Sequence, residues 1–434
     1  MSTQRILLLG LDTAGFCTSL GDSLSRLGSE IKYLARDDFP DYRTTLLKKP
    51  KLCRPPSNFA FFADTTVGHW RHTALRLASH SWRIAFAIRV LYELTFRLRL
   101  YDGIIQSGPN VGVPPRLSEL LTRFRRGQLI VVFHGSDVRP AYINGALGSG
   151  KGSSEMRRLA RTARRQAKLA HRTERIADRI VVWRAISHFF TRPVLLHEAI
   201  GFPCNVPSEQ SQKSSANNTL SVLHATSNVR AKGSLQIRDI CVALADDGLP
   251  ILYREISKGT HSETLDSIRR ADIIVDQLYT DNVASVLSIE AGRLGKTVIS
   301  SSWSIDPDLF SRENLVLPPI YLSHSNDFKK SLTEIIRDRG LREDVGQRLA
   351  TFHSQHWSPD SVAQFYLSMI CDSKGKVFDE MDPRSSSKPF GGYAPEDELK
   401  AQVSRYVDYH GVQSLYLSHN PDLERSLVAW AKSG

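Results

Sequence analysis

The stretch ADIIVDQLYTDNVASVLSIEAGRLGKTVISS, from Ala271 to Ser301, decides how the rest of the chain is read. Asp272 to Val275 has the apolar content of a buried strand, a polar segment follows, a helical pattern runs to Leu294, and Thr297 to Ile299 starts a second strand. Strand, helix and strand in this order form a βαβ unit. Ser285 stands where a hydroxyl caps the free N–H groups of the helix, and Gly295 where a helix end takes a left-handed residue. A helix that begins at the carboxyl end of a parallel strand offers N–H groups and the positive end of its dipole to an anion, most often a phosphate. Glu290, one turn further on, suits a ribose diol, as acidic residues do in other nucleotide-binding α/β folds. The plainer reading is an ordinary βαβ crossover with a solvated glutamate.

Strands and helices alternate on the N-terminal side of this unit: Leu220 to His224, a helix around Leu235 to Ala245, Pro250 to Tyr253, and a helix around Ser262 to Arg270. Ahead of them GFPCNVPSEQSQKSSANN, from Gly201 to Asn218, is rich in Pro, Ser, Gln and Asn and reads as a linker. A second α/β series precedes it. Arg5 to Gly10 (RILLLG) is a buried-strand signal, followed by a loop and a helical pattern through Leu27 and Gly28, and then by a strand from Glu30 to Ala35. Gly10 and Gly15 allow a tight turn beneath a ligand, but their spacing is not GxGxxG, so a simple turn reads at least as well as a dinucleotide site. Further strands are expected at Gly103 to Ile105, Leu129 to Phe133 and Ile180 to Trp183. The second of these ends in HGSDVRP, placing His134, Asp137 and Arg139 where open α/β sheets build sites; a structural turn with a buried histidine is the alternative. Two successive domains with mostly parallel sheets follow from this pattern.

Two helical patterns carry arginine. Arg71 to Leu100 mixes Trp82, Ile84, Phe86, Ile88, Leu91, Leu94 and Phe96 with Arg83, Arg89, Arg97 and Arg99, and reads as a core-packing helix with snorkelling arginines in preference to a membrane-interface helix. Glu155 to Arg179 is denser in arginine and reads as a solvated basic face. Nucleic-acid binding by this helix is set aside, because the aromatic side chains that stack on single strands are almost absent from it. Arg337 to Met369 is helical with a break near Ser358-Pro359. From Asp372, DSKGKVFDEMDPRSSSKPFGGYAPEDE reads as a flexible segment, followed by helical patterns at Glu396 to Tyr409 and Pro421 to Lys432 to which no function is attached.

Composition narrows the class. At 434 residues two domains are the default, and 41% hydrophobic with 24% charged residues is the balance of a globular protein. Five scattered cysteines with no CxxC pair argue for a reducing, cytoplasmic setting and against a zinc site. Arginines interrupt every apolar run that approaches a membrane span, and Met1 to Arg5 leads directly into a strand, so neither a span nor a signal peptide is expected. A net charge of +12 points to anionic partners.

With Ala271 to Ser301 beside HATSNVRAKGS, from His224 to Ser234, the chain resembles the bacterial GT-B glycosyltransferases of the retaining, glycogen-synthase-like branch. His224, Ser227, Asn228, Lys232 and Gly233 match that family's HAPSNRxxKG pattern. Ala271, Asp272, Val275, Asp276, Gln277, Leu278, Glu290, Ala291, Gly295 and Lys296 match its second, ADxxVDQL…EA…GK pattern, and His134 to Arg139 match a loop of its N-terminal domain. The likeness covers about residues 5 to 371. The chain departs from the pattern at Val229, where the family has arginine with Arg230 adjacent, and at Asn282 to Ser285, where the family has Gly-x-Tyr-Gly and an E-x7-E motif would put its first glutamate at Asn282.

The resemblance implies a GT-B fold of two Rossmann-like domains facing across a cleft: an acceptor-side domain over 1–202, a linker over 203–218, a nucleotide-sugar domain over 219–352, helices over 353–372 returning to the first domain, and an extension over 373–434. It implies a hexosyltransferase that moves a sugar from a nucleotide-diphosphate sugar to a saccharide, lipid-linked saccharide or small-molecule acceptor with retention of configuration, as in carbohydrate biosynthesis. Lys232 and Arg230 would neutralise the leaving diphosphate and His134 would contact the sugar or acceptor. Asn228, Ala284, Ser285, Val286 and Glu290 would hold the donor, and Gly10, Asp12, Gly15, Asp137 and Arg139 would form the acceptor-side loops. No cofactor or metal is expected, since Asp37-Asp38 and Asp246-Asp247 lack DxD spacing. Peripheral contact with an anionic membrane fits the basic charge, whereas nucleic acid is not expected as a partner. The departures at Val229, Asn282 and Ala284 motivate a rival reading, a catalytically impaired protein of the same fold that binds a nucleotide sugar or a partner.

Overall fold

The computed structural model describes residues 3–36, 84–109, 111, 113–147, 152–206, 219–257, 259–312, 315–372, 378–386 and 388–433. The expected helix over 71–83 and the linker over 207–218 lie outside the described residues.

The first domain is built on six parallel strands: β1 Arg5–Leu11, β2 Glu30–Arg36, β3 Gly103–Ser107, β4 Gln128–Val132, β5 Arg179–Val182 and β6 Leu195–Leu196. Their order is β2-β1-β3-β4-β5-β6. Ile6 to Leu9, Ile104, Ile105 and Leu129 to Val132 are wholly buried, because helices cover both faces of a parallel sheet. From β1 the chain goes outward to β2 and then crosses to β3 on the other side, so the winding reverses between β1 and β3. At that seam Gly10 pairs with Ser107 with φ +111°, and a Cβ there would lie 2.1 Å from the Ser107 carbonyl oxygen. Gly10 is therefore required by strand packing itself.

The second domain has five parallel strands: β7 Leu220–Ala225, β8 Ile251–Ile256, β9 Ile273–Val275, β10 Thr297–Ser302 and β11 Tyr321–His324. They run in the order β11-β10-β9-β7-β8 and reverse between β7 and β9. The expected βαβ unit is present as β9, the helix Val286–Arg293 and β10. Ser285 caps that helix by accepting from the Ser288 N–H, and Gly295 follows its end with φ +68°.

Helix Arg339–Gln355 ends before Ser358, whose hydroxyl accepts from the Ser361 N–H, and Pro359 opens the helix Pro359–Cys371. This last helix packs on Phe16–Arg26 of the first domain, bringing Trp357 and Tyr366 into that domain's core and Ile370 against Gly103.

Two expectations are corrected. The segment after Cys371 is tied to the rest of the chain by main-chain bonds at three described residues: Val194 and Met381 exchange N–H···O bonds at 2.9 and 2.8 Å, Gly145 N donates to Gly392 O at 3.0 Å, and Tyr393 N donates to Tyr279 O at 2.7 Å. Such bonds carry no side-chain periodicity, so the composition resembled that of a flexible stretch. The helical segment over 84–100, expected to pack into the core, does so on one face only; Ile84, Ile88 and Phe96 on the other face are exposed.

The helices Glu396–His410 and Pro421–Ala431 complete the first domain's core with Val403, Tyr406, Leu415, Leu423 and Leu427. Tyr142 donates to Leu415 O at 2.9 Å, its ring lies 5.3 Å from that of Tyr406, and Gln402 donates to Tyr142 O. Tyr406→Ala is expected to destabilise the protein by about 3–5 kcal/mol in urea unfolding, the cost of deleting a buried ring. A change within about 0.5 kcal/mol would show that the extension is not part of this core.

Candidate functional site

The carboxyl ends of β7 and β9, where the second sheet reverses, hold a compact polar cluster. His224 closes β7: its Nδ1–H donates to Val275 O at 2.9 Å and its Nε2 accepts from Ser234 Oγ at 2.7 Å, the only assignment a carbonyl partner allows. Burial lowers its pKa, so the ring is neutral and ties the two strand ends to the helix Ser234–Asp246. The intervening loop turns at Asn228, whose carboxamide oxygen accepts from Ala231 N at 3.0 Å, and ends in the helical turn Val229–Lys232. Asn228 thus serves as a cap.

Lys232 Nζ donates to Asp276 Oδ1 at 2.6 Å. Asp276 also accepts from Ser285 Oγ and Ser288 Oγ, both at 2.8 Å, so it joins the lysine to the first turn of Val286–Arg293. Burial works to raise the Asp276 carboxyl, but the Lys232 ammonium and the two hydroxyls outweigh it and hold it below the usual carboxylate range. The ammonium has two N–H groups beyond the one given to Asp276, and its side chain keeps 17% exposure. A cation fixed beside a helix N-terminus at a topological switch point is an arrangement whose charge suits an anion.

Glu290 lies on the same helix, 2% exposed, and its Oε1 accepts from His261 Nε2 at 2.7 Å. Arg230 pairs with Glu398 of the C-terminal extension at 2.5 Å. Ala284 is buried, and Val286 is the first residue of the helix. In the loop ahead of it the Thr280 hydroxyl accepts from Asn282 N at 3.1 Å and donates to Asn282 O at 2.7 Å.

Across the interface the first sheet presents its own switch point. Asp12 accepts from Thr18 N and Oγ1, which anchors the helix Phe16–Arg26, while Ala14 and Gly15 take left-handed angles. His134 Nε2 lies 2.9 Å from Ser107 Oγ. Because the Ser107 hydroxyl donates to Leu11 O, it must accept from Nε2–H, which leaves His134 Nδ1 an acceptor with no hydrogen-bond partner. The ring packs 4.7 Å from Phe16, and burial, with His197 alongside, keeps its pKa well below the ordinary value. His134 is thus a neutral acceptor near the first switch point. Asp137 accepts from the backbone N–H of His134; burial raises its pKa against that bond.

Arg139 leaves this loop and crosses to the second domain. Its Nε and Nη2 donate to Asp281 Oδ2 and Oδ1 at 2.7 and 2.8 Å, and Tyr393 of the extension lies over the guanidinium, 4.5 Å from its ring centre. Burial opposes the charge on Arg139, and Asp281 more than offsets it. Arg139, expected on the acceptor side, is fully engaged as an interdomain clamp. Asp281 and Tyr393 were not singled out from the sequence, which holds no signal for them beyond the proximity of Asp281 to the Asn282 position. Glu198 lies close to the clamp: Oε1 accepts from Arg184 N at 3.0 Å, Oε2 has no partner, and burial raises its pKa from 4.5 to about 7. Among the described residues no three His, Cys, Asp or Glu side chains converge to hold a metal ion.

Breaking the clamp from one side leaves an uncompensated buried charge. Arg139→Met is expected to cost about 3–5 kcal/mol in urea unfolding, and Arg139→Met with Asp281→Leu to recover most of that loss. A Glu198 pKa raised on folding means the native state binds more protons between pH 4.5 and about 7, so stability falls as pH rises through that window. Glu198→Gln should match the parent near pH 4.5, gain on it up to about pH 7, and hold a constant advantage above; an advantage independent of pH would refute the assignment.

No protein-family model matches the sequence, and no curated relative matches it. Among solved structures the chain is similar to sucrose-phosphate synthase from Thermosynechococcus elongatus, with 11% identity, coverage of 85% of this chain and 100% of that one, and a TM-score of 0.48. It is similar to the catalytic domain of starch synthase IV from Arabidopsis thaliana bound to ADP and acarbose, with 10% identity, coverage of 85% and 99%, and a TM-score of 0.48. It is also similar to the calicheamicin glycosyltransferase CalG4, with 12% identity, coverage of 86% and 100%, and a TM-score of 0.43. Two doubly wound parallel sheets, clamped loop to loop beyond their carboxyl ends, with the chain returning from the second domain to the first, give this protein a GT-B fold.

Proposed function

We propose that the protein transfers a sugar from a nucleotide-diphosphate sugar to a hydroxyl-bearing acceptor, with retention of configuration. The observation that carries this reading is the placement of Lys232 and Asp276 on either side of the second sheet's switch point, beside the N-terminus of Val286–Arg293 and facing the first domain. Lys232 and the N–H groups at Ser285 and Val286 take the diphosphate, with charge stabilisation greatest as it leaves. Glu290, its orientation set by His261, takes the ribose hydroxyls. His134, at the carboxyl end of β4 beside Ser107, is the first-domain residue next to the sugar or acceptor. The acceptor oxygen bonds to the anomeric carbon, the carbon–oxygen bond to the diphosphate breaks, and the acceptor proton passes to the leaving phosphate oxygen. This route needs fixed cations, and the reading includes no metal or cofactor.

The acceptor is a saccharide, a lipid-linked saccharide or a small molecule, and the setting is the cytoplasm; Cys17, Cys204, Cys241 and Cys371 are free thiols, in keeping with a reducing compartment. One observation favours the binding-only alternative: Arg230 pairs with Glu398 of the extension.

Release of nucleotide diphosphate across a panel of donors, with and without acceptors, tests the proposal. Lys232→Ala is expected to lower kcat/KM by about a hundredfold, as for loss of one transition-state charge partner. Glu290→Ala should act mainly through a weaker donor KM. Full activity in both variants overturns the reading, and a donor-dependent thermal shift without turnover selects the binding-only alternative.

A further inference from the structure

The helical segment over 84–100 is apolar on two faces. Phe86, Val90, Leu94 and Leu98 enter the first domain's core. On the opposite side Ile84, Ile88, Tyr92, Phe96 and Leu100 are exposed, Ile88 at 61% and Phe96 at 73%. A helix apolar all round is normally buried all round. The ridge continues onto its neighbour: helix Pro115–Thr122 packs against Glu93–Arg97, and Arg99 Nε donates to Phe124 O at 3.4 Å, which brings exposed Leu120 and Phe124 alongside. Contiguous exposed apolar surface of this kind marks an interaction site.

The charge around the ridge identifies its partner. Arg116 and Arg126 are exposed at its border, whereas the nearby carboxylates are already paired, Glu93 with Lys32 and Arg97, Glu119 with Arg123 and Arg175. Arg175 belongs to the helix Ser153–Ile176, which adds Arg161, Arg164, Arg165 and Lys168 as exposed cations on the same domain. A second copy of the chain docking ridge to ridge would bring these arginines against one another, which like-charge repulsion disfavours. Among the described residues no helix is long and apolar enough to cross a membrane, so contact with a bilayer takes place at its surface.

We infer that this ridge docks the first domain onto an anionic lipid bilayer, its aromatic and aliphatic side chains entering the headgroup boundary and the bordering arginines meeting lipid phosphates. The inference is independent of the sugar-transfer reading, because none of these residues belongs to the switch-point cluster.

The test is cosedimentation of the full chain with vesicles of phosphatidylcholine alone or of three parts phosphatidylcholine to one part phosphatidylglycerol. Binding is expected only to the anionic vesicles and should weaken as salt rises. Ile88→Ser with Phe96→Ser should reduce partitioning about tenfold or more with an unchanged melting temperature, since both side chains are exposed in the parent. Arg116→Glu with Arg126→Glu should reduce it as well. Binding that is absent, equal for both vesicles or unaltered in the Ile88/Phe96 variant overturns the inference. A concentration-dependent dimer abolished by that variant assigns the ridge to a second copy and overturns it also.

Discussion

A buried ion pair ties the two halves of this protein together. Arg139 comes from the loop after β4 and Asp281 from the loop after β9, and their bidentate contact at 2.7 and 2.8 Å leaves neither side chain accessible to water. Desolvating both charges is costly, and the pair stands only because its geometry is good and Tyr393 covers it. It therefore contributes specificity more than stability: one registration of the domains satisfies both charges, whereas sliding or rotating them would strand both. Since the bond joins the loop that follows His134 to the loop that precedes Ser285, the same constraint fixes the two switch points across from each other.

Each switch point uses its polar residues mostly to hold itself in shape. Asn228 caps a turn, Asp12 anchors a helix, and His224 pins β7 to β9. Among the described residues, two N–H groups of Lys232 and the buried Nδ1 of His134 take no part in this bonding. The cluster of the second domain thus carries positive charge and donors, and that of the first a neutral acceptor.

The sequence revealed the scaffold because scaffold signals are local. Buried strands such as Leu7 to Leu9 and Val131 to Phe133 are apolar runs, the Ser285 cap and Gly295 stop are single-residue signals, and the break at Ser358-Pro359 follows from proline chemistry. Pairings between distant segments left no such trace. Arg139 looked like a site residue because it followed a strand; nothing in its surroundings in the chain indicates Asp281, 142 positions away. The extension was opaque for the same reason. Gly392 and Tyr393 bond through their main chains, which any sequence provides, and Tyr406 acquires meaning only against Tyr142. The exposed ridge over 84–100 was misread in the opposite sense: apolar content is the same whether a face meets a core or a partner, so only its accessibility separates the two.

The loop from Tyr279 to Ser285 is where these constraints meet, and they account for its lack of glycine. In the enzymes the sequence resembles, glycines there leave the main chain bare for a diphosphate. Here Tyr279 O accepts from Tyr393 N, Thr280 brackets Asn282, Asp281 grips Arg139, and a Cβ on Gly392 would press on both Tyr279 O and Asp281. The glycine has in effect moved to the extension, at Gly392, where it lets that strap approach the loop. A loop held this way is fixed by its contacts with Arg139 and with the extension, and its main chain is not bare. The departures from the family pattern and the contacts of the extension thus fall on the same loop, where Asp281 meets Arg139 and Tyr279 meets Tyr393.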